Sequence, residues 1–376
     1  MGMFKEKKFI VFGGEHYNPL TVIRILGEKG IEPIYVGVKH KANIASSSKY
    51  LIEANVFDTL NEAFDFLVKN YGDEINPPYV INTDDVGQAK IDENYDEIKD
   101  KFITFNAGKA GRIIEFMNKK TILDIAEKHG VAIPKTVVVD NGTISPNIEY
   151  PIITKSISPI VGGWKSDVFI CNNEEELKEA FKKIKSPKVL IQRYVEKKNE
   201  ICIDGFAVDH GKKVFMPMYT TYNYNIKGYY SPYMTAHSFT DAELKHKIQK
   251  IMEDIGFEGI FSFELIQDED DNLYFMEINF RNSPWNYAAA INGMPYPLMW
   301  AEAMETKSLE NFSEIPFPED FTCMIEPIDY QKRVVEGGVK LSTWLLDFKN
   351  TNCHFYLHQD DLRPYEIMVD NWKLLS

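Results

Sequence analysis

Two apolar runs, GIFSFELIQD at 259–268 and NLYFMEINF at 272–280, meet across the acidic stretch Glu269, Asp270, Asp271 and Asn272. Turn-favouring residues between two β-rich runs predict an antiparallel hairpin. Alternation along the second run puts Glu277, Asn279 and Arg281 on one face, with Glu264 on the partner strand. Two carboxylates and an amide oxygen are hard donors of the kind Mg²⁺ takes in octahedral sites shared with waters and substrate phosphates. An arginine two residues further on can hold a phosphate or an anionic transition state through its planar fork. A solvated edge strand would carry the same alternation. Phe261, Phe263, Phe275 and Met276 argue instead that the opposite face is packed, which makes the polar row the wall of a cleft.

The chain upstream reads as two further units. KFIVFGG is a buried strand, Asn18 and Pro19 read as N-cap and first-turn residue, Gly30 closes the helix, and IEPIYVG is the next strand. A later strand, PYVINTDD at 78–85, ends in Asn82, Thr83, Asp84 and Asp85, and ligands sit at the carboxyl ends of strands in open parallel sheets. Residues 1–115 are therefore expected to form a doubly wound α/β domain. Asn118 caps a helix with Ile122, Leu123 and Ala126 on its apolar face. The strands TVVVD, YPIITKS, SDVFIC and KVLIQRYV follow, with Asn173 and Glu176 as a capping pair, giving an α+β module at 116–195. Thr240 and Glu243 read as a capping box for a helix bearing Leu244, Ile248, Ile251 and Ile255. This places a larger unit at 196–325, and 326–376 is expected to be an extension packing on the core, helix-like around 341–346.

Charge and cysteine usage exclude several classes. The formal charge of −14 repels nucleic-acid backbones and anionic membranes. No run approaches the roughly 20 apolar residues that span a bilayer. Cys171, Cys202, Cys323 and Cys353 lack the spacing of a zinc site or redox pair, which fits reduced thiols and a cytoplasmic location.

Lys155 closes an otherwise apolar strand seven residues before Gly162 and Gly163, an arrangement that suits phosphate oxygens, although a strand-end lysine also serves plain solvation. Walker-type and dinucleotide glycine spacings are missing from the sequence. Taken together, these residues resemble the ATP-grasp superfamily of ligases, closest in style to carbamoyl-phosphate-synthetase-like and D-aspartate or amino-acid ligases, over about residues 9–300. The resemblance implies an ATP-grasp fold: an N-terminal Rossmann-like domain, a small mobile lid and a larger antiparallel-sheet domain. It also implies ATP contacts from Lys119, Lys155, Gly162, Gly163, Gln192, Tyr194, Val195 and Glu200. The motif Glu264 with EINFR at 277–281 resembles the family's E…E-x-N-x-R and implies that Glu264, Glu277 and Asn279 hold one or two Mg²⁺, or Mn²⁺, with Arg281 and Lys155 catalytic.

The implied reaction joins a small-molecule carboxylate, activated by ATP as an acyl phosphate, to an amine. A synthetase of nucleotide-precursor or carbamoyl-phosphate type and a catalytically silent ATP-binding module are the alternatives, and a homodimer is left open. Candidate substrate residues are Glu15, His16, Lys227, Tyr230 and His237. Each has a plainer reading. His16 serves equally as a helix cap, the tyrosines from Tyr219 to Tyr233 suit a subunit contact as well as a substrate wall, and Asp84 and Asp85 read as caps of the next helix.

Overall fold

Strand β1 (Phe9–Gly14) is apolar almost throughout because it runs through the middle of a parallel sheet covered on both faces. The computed structural model describes residues 4, 6–146, 148–157, 167–226 and 230–375. Helix α1 (Tyr17–Gly27), β2 (Ile34–Val38), β3 (Glu53–Phe57), α2 (Leu60–Tyr71), β4 (Tyr79–Asn82), α3 (Asp85–Glu93), α4 (Tyr95–Ile98) and β5 (Ile103–Thr104) complete the first unit. Its five strands run β3-β2-β1-β4-β5, with every pairing parallel. The order reverses between β1 and β4, so the carboxyl ends of these two strands open the crevice where such sheets bind ligands. Gly13 sits on this rim with φ 155°, and a Cβ there would lie 2.1 Å from Thr83 Oγ1. Only glycine lets β1 and β4 stay this close.

Helices α5 (Arg112–Met117) and α6 (Lys119–Lys128) lead to a four-stranded antiparallel sheet. Asn118 caps α6 as its sequence position implies, accepting from the amides of Lys120 and Thr121. The small sheet comprises β6 (Thr136–Asp140), β7 (Ile152–Ser156), β8 (Ile170–Cys171) and, after α7 (Glu174–Phe181), β9 (Lys188–Arg193), in the order β6-β9-β7-β8. Val139, Ile152, Leu177, Phe181 and Ile191 give it a core of its own.

The largest sheet has seven strands. Those before residue 325 are β10 (Asn199–Val208), β11 (Lys213–Tyr222), β12 (Tyr233–Ser238), then, after α8 (Ala242–Ile255), β13 (Gly259–Gln267) and β14 (Leu273–Asn279), and, after α9 (Asn286–Ile291) and α10 (Tyr296–Thr306), β15 (Phe321–Met324). After α11 (Glu326–Asp329) and α12 (Leu341–Asn350), β16 (Cys353–His354) pairs parallel to β15 and completes the order β14-β13-β10-β11-β12-β15-β16. The segment from residue 326 thus adds an edge strand to this sheet. Helix α13 (Arg363–Asp370) follows, and the tail is anchored on the first unit. Arg24 of α1 is fully buried, 3.0 Å from Asp361 Oδ2, and donates to the carbonyls of Phe355, Tyr356 and Asp361. Asp361 also accepts from Ser48 Oγ and the Lys49 amide.

Two caps differ from the sequence reading. His16, not Asn18, caps α1 through Nδ1, which accepts from the Asn18 amide. Asn18 lies inside the helix, where its buried side chain holds the backbone of Thr83 and Asn282. Helix α8 is capped by Asp241, whose carboxylate accepts from the Leu244 amide, rather than by Thr240 with Glu243. A carboxylate one residue nearer the helix satisfies the same orphan donors and also favours the positive end of the helix dipole.

Candidate active site

The β13–β14 hairpin forms antiparallel with Glu264 directly opposite Glu277 and Ser262 opposite Asn279. Strict alternation would put Phe275 on the same face as Glu277. A bulge at Met276 resets the phase, so that Phe275 faces Leu265 and packs against Phe263 at 4.7 Å in the core. The polar row is thereby freed of its apolar neighbour. Asn279 donates to Glu264 Oε1 at 2.6 Å, and Arg281, just past the strand end, lies 3.3 Å from Asp85 Oδ1. On the adjacent strand β10, Cys202 faces Glu264 and Asp204 faces Ser262, so Glu200, Cys202 and Asp204 extend the same floor.

Lysines from two other elements reach this floor. Lys119 opens α6, and its Nζ lies 2.5 Å from Glu277 Oε2. Burial pulls the Lys119 ammonium down, but Glu277 beside it more than reverses the effect and leaves it above the usual lysine value. The same ammonium holds Glu277 below the ordinary carboxylate range. Glu264 has no such partner, and burial, reinforced by Glu277 and Glu200, pushes it well above that range. Lys155 on β7 donates to Gln192 Oε1 at 3.1 Å. Its burial, with the Lys119 ammonium nearby, brings it down to about 8.

Gln192 bridges Lys155 to Thr136 Oγ1. Tyr194 and Val195 lie between β9 and β10, in the connection between the two antiparallel sheets, and the Tyr194 amide donates to the Pro151 carbonyl. Glu200 accepts from Tyr222 Oη at 2.6 Å and pairs with Lys197 at 2.9 Å. Gly162, Gly163 and Lys227 lie outside the described residues.

A cavity of about 370 Å³ opens where the first unit meets this floor. Its upper wall comes from the carboxyl ends of β1 and β4: His16, Tyr17, Asn18, Thr83, Asp84 and Asp85. Its lower wall includes Glu200, Tyr222, Tyr230, Glu264, Arg281 and Trp285. Asp84 caps α3 and accepts from the amides of Gly14 at 2.7 Å and Gly87 at 2.6 Å, as a capping residue should, while Asp85 is committed to Arg281 instead. Burial, with His40 and Arg281 adding to it, brings His16 down to about 3, so the ring is neutral.

Two candidate substrate residues are placed elsewhere. Glu15 turns away from the cavity and accepts from the amides of Ala45 and Ser46, holding the chain that follows β2. His237 stacks on Tyr219 at 4.9 Å and bonds Thr221 Oγ1 on the β11–β12 ladder, and it too does not line the cavity. Tyr17, Cys202 and Trp285 line it without having stood out in the sequence. Their signal, apolar or aromatic character beside strand ends, does not differ from that of core residues.

Among the described residues, no three His, Cys, Asp or Glu side chains stand close enough to close a metal site. The donors at hand are Glu264, Glu277 and Asn279, an incomplete oxygen set that leaves positions for waters and phosphate oxygens, and this fits Mg²⁺. Glu264, raised by burial and by Glu277 opposite it, is where a divalent cation would be held in place of the proton.

Among known protein families, the ATP-grasp domain matches this chain over residues 124–284. N5-carboxyaminoimidazole ribonucleotide synthase of Staphylococcus aureus (strain COL) is 29% identical over 151 residues, 39% of this chain and 39% of that protein. D-alanine–D-alanine ligase of Fusobacterium nucleatum is 28% identical over 173 residues, 43% of this chain and 55% of that protein. The match thus spans about two fifths to just over half the length of these curated relatives. The crystal structure of N5-carboxyaminoimidazole synthetase from Staphylococcus aureus superposes with a TM-score of 0.65 at 17% identity, covering 88% of this chain and 86% of that one. The fold is accordingly that of ATP-grasp proteins. No helix among the described residues is long and apolar enough to cross a membrane.

Proposed function

We propose that this chain is an ATP-dependent ligase that activates a small carboxylate as an acyl phosphate and joins it to an amine. The observation that carries the reading is the convergence, from three separate elements, of Lys119 and Lys155 on the opposed carboxylates Glu264 and Glu277. Cations beside a pair of carboxylates suit a nucleotide triphosphate and its metal better than they suit a structural ion pair. Lys119 and Lys155 would offset phosphate charge, while Gln192, the chain at Tyr194 and Val195, and Glu200 would border the nucleoside. Glu264, Glu277 and Asn279 would hold Mg²⁺, which when bound supplies charge neutralisation at the β- and γ-phosphates.

In the first step a substrate carboxylate oxygen attacks the γ-phosphorus and ADP leaves. The amine then adds to the acyl carbonyl, the C–N bond forms, the bond to phosphate oxygen breaks, and inorganic phosphate and a proton depart. Arg281, at the cavity wall, would steady the anionic adduct. No protein nucleophile is required, so catalysis rests on positioning and charge.

The test is a panel of carboxylic acids with Mg²⁺ and ATP, using hydroxylamine as trapping nucleophile. Formation of ADP together with a hydroxamate is expected. AMP and pyrophosphate as products, or no nucleotide turnover with any acid, would overturn the proposal. The resemblance to a ribonucleotide synthase favours the nucleotide-precursor reading as the second choice, and the same panel distinguishes it by which acid and amine are consumed.

A further inference from the structure

We propose that the cavity between the first unit and the β10–β13 floor takes its amine substrate as an ammonium ion, seated at Asp85 against the aromatic wall of Tyr17, Tyr230 and Trp285, and disfavours phosphorylated acceptors. The inference rests on the ligase reading above and narrows its second substrate.

The charge of the wall is the first argument. The described lining residues include four carboxylates, of which Glu264 is assigned to the metal and Glu200 is paired with Lys197 at 2.9 Å, leaving Asp84 and Asp85 against one guanidinium, Arg281, a formal balance of −1 from −2 and +1. That guanidinium already faces Asp85 at 3.3 Å. His16 adds no charge, because its Nδ1 is engaged as acceptor of the Asn18 amide in the helix cap. A phosphate monoester would bring about −1.5 to −2 more into this wall, and like charges at close range cost several kcal/mol when complementarity is lacking. An ammonium restores the balance.

Geometry is the second argument. Asp84 is fixed by two backbone amides at the start of α3, so the adjoining Asp85 projects from a rigid base. Across the cavity, Tyr17 and Tyr230 are joined hydroxyl to hydroxyl at 3.1 Å, and Trp285 is held edge-on to Phe355 with centroids 5.2 Å apart. Aromatic faces attract cations and also accept flat or apolar bodies. A volume of about 370 Å³ stands at the small end of ligand pockets, which suits a molecule of amino-acid size. The bound ammonium gives up one proton, to Asp85 or to water, and the freed lone pair attacks the acyl carbonyl. The second proton leaves as the amide forms and phosphate departs.

Matched probe pairs decide the matter whatever the natural substrate: ethanolamine with O-phosphoethanolamine, L-serine with O-phospho-L-serine, L-tyrosine with O-phospho-L-tyrosine. Binding is measured by calorimetry on the full chain with Mg²⁺ and a non-hydrolysable ATP analogue. The unphosphorylated member is expected to bind at least tenfold tighter in the best pair. Asp85→Asn should weaken that amine about tenfold with nucleotide affinity unchanged, and Asp85→Glu should recover part of the loss. Tighter binding of a phosphorylated member, an amine affinity indifferent to Asp85→Asn, or no binding by any probe would overturn the proposal. A hydroxamate formed without any amine preference sinks this inference alone, whereas failure to form one with any acid sinks the ligase reading.

Discussion

Replacing Glu264 by glutamine should make the nucleotide-free protein more stable and the nucleotide site useless. Glu264 and Glu277 are directly opposed on neighbouring antiparallel strands, where Cβ atoms stand about 4.5–5.5 Å apart. Held ionised together, two charges about 5 Å apart would repel by about 3 kcal/mol at an effective dielectric near 20, and Glu264, pushed well above the carboxylate range, meets this cost in the free protein by binding a proton. Lys119 neutralises part of the Glu277 charge and both carboxylates are partly exposed, so about 1–2 kcal/mol remains to be recovered. Glutamine keeps the oxygen that accepts from Asn279, so the hairpin loses no hydrogen bond. With an unfolding entropy of about 2.1 cal/mol/K per residue over 376 residues, the gain corresponds to a rise of about 1–3 °C in Tm. The wild type should rise further when Mg²⁺ and ATP are added, by about 2.7 kcal/mol or roughly 3 °C at a hundredfold excess over Kd, and the variant should not. Differential scanning calorimetry of both proteins with and without Mg²⁺ and ATP reads all four values. A fall of more than about 2 °C in the nucleotide-free variant would refute the charge argument, and a preserved nucleotide-induced rise would refute the placement of the metal.

Two other perturbations test separate parts of the molecule. Burial and Lys119 lower Lys155 to about 8 in the free protein, so the phosphate-binding ammonium is lost as pH rises through that value. ATP affinity measured by calorimetry should fall by up to about tenfold per pH unit above 8. Lys155→Arg should flatten the profile, because arginine stays charged. For the free protein the sign is opposite: the unfolded chain holds this proton up to about 10.4, so Lys155 makes the fold relatively more stable as pH rises from 8 into that window. Separately, Asp361→Ala leaves Arg24 buried without its counter-charge. A loss of about 3–5 kcal/mol is expected, visible as a lower urea midpoint. ATP affinity should be unaltered, and a drop in it would mean that the tail influences the nucleotide site.

The site was legible where local pattern and chemistry coincide. Period-two alternation places Glu277, Asn279 and Arg281 on one face whatever surrounds them, and the acidic turn forces their strand back against Glu264. Lys155 at the end of an apolar strand carries the same kind of short-range signal, whereas Lys119 was marked only by the resemblance to the ATP-grasp superfamily. The parallel first unit was equally readable, since a strand buried on both faces has to be apolar along its length. Phase was not readable: the bulge at Met276, which sends Phe275 into the core, depends on how Phe263 and Leu265 pack.

What the sequence determined by itself was the central strands of the first unit, the strands of the small sheet, the β13–β14 hairpin with its polar row, and Lys155, because each depends on residues within a few positions of one another. Strands β3, β5, β10 to β12, β15 and β16 carried no such local pattern. The tertiary structure alone decided that Asp85 meets Arg281, 196 positions away, and that Arg24 meets Asp361, 337 away. It also decided that Glu15 and His237 serve neighbouring backbone and ring contacts rather than the cavity. Such pairings are fixed by how whole sheets dock, through burial summed over many side chains, and no short window of residues carries that sum.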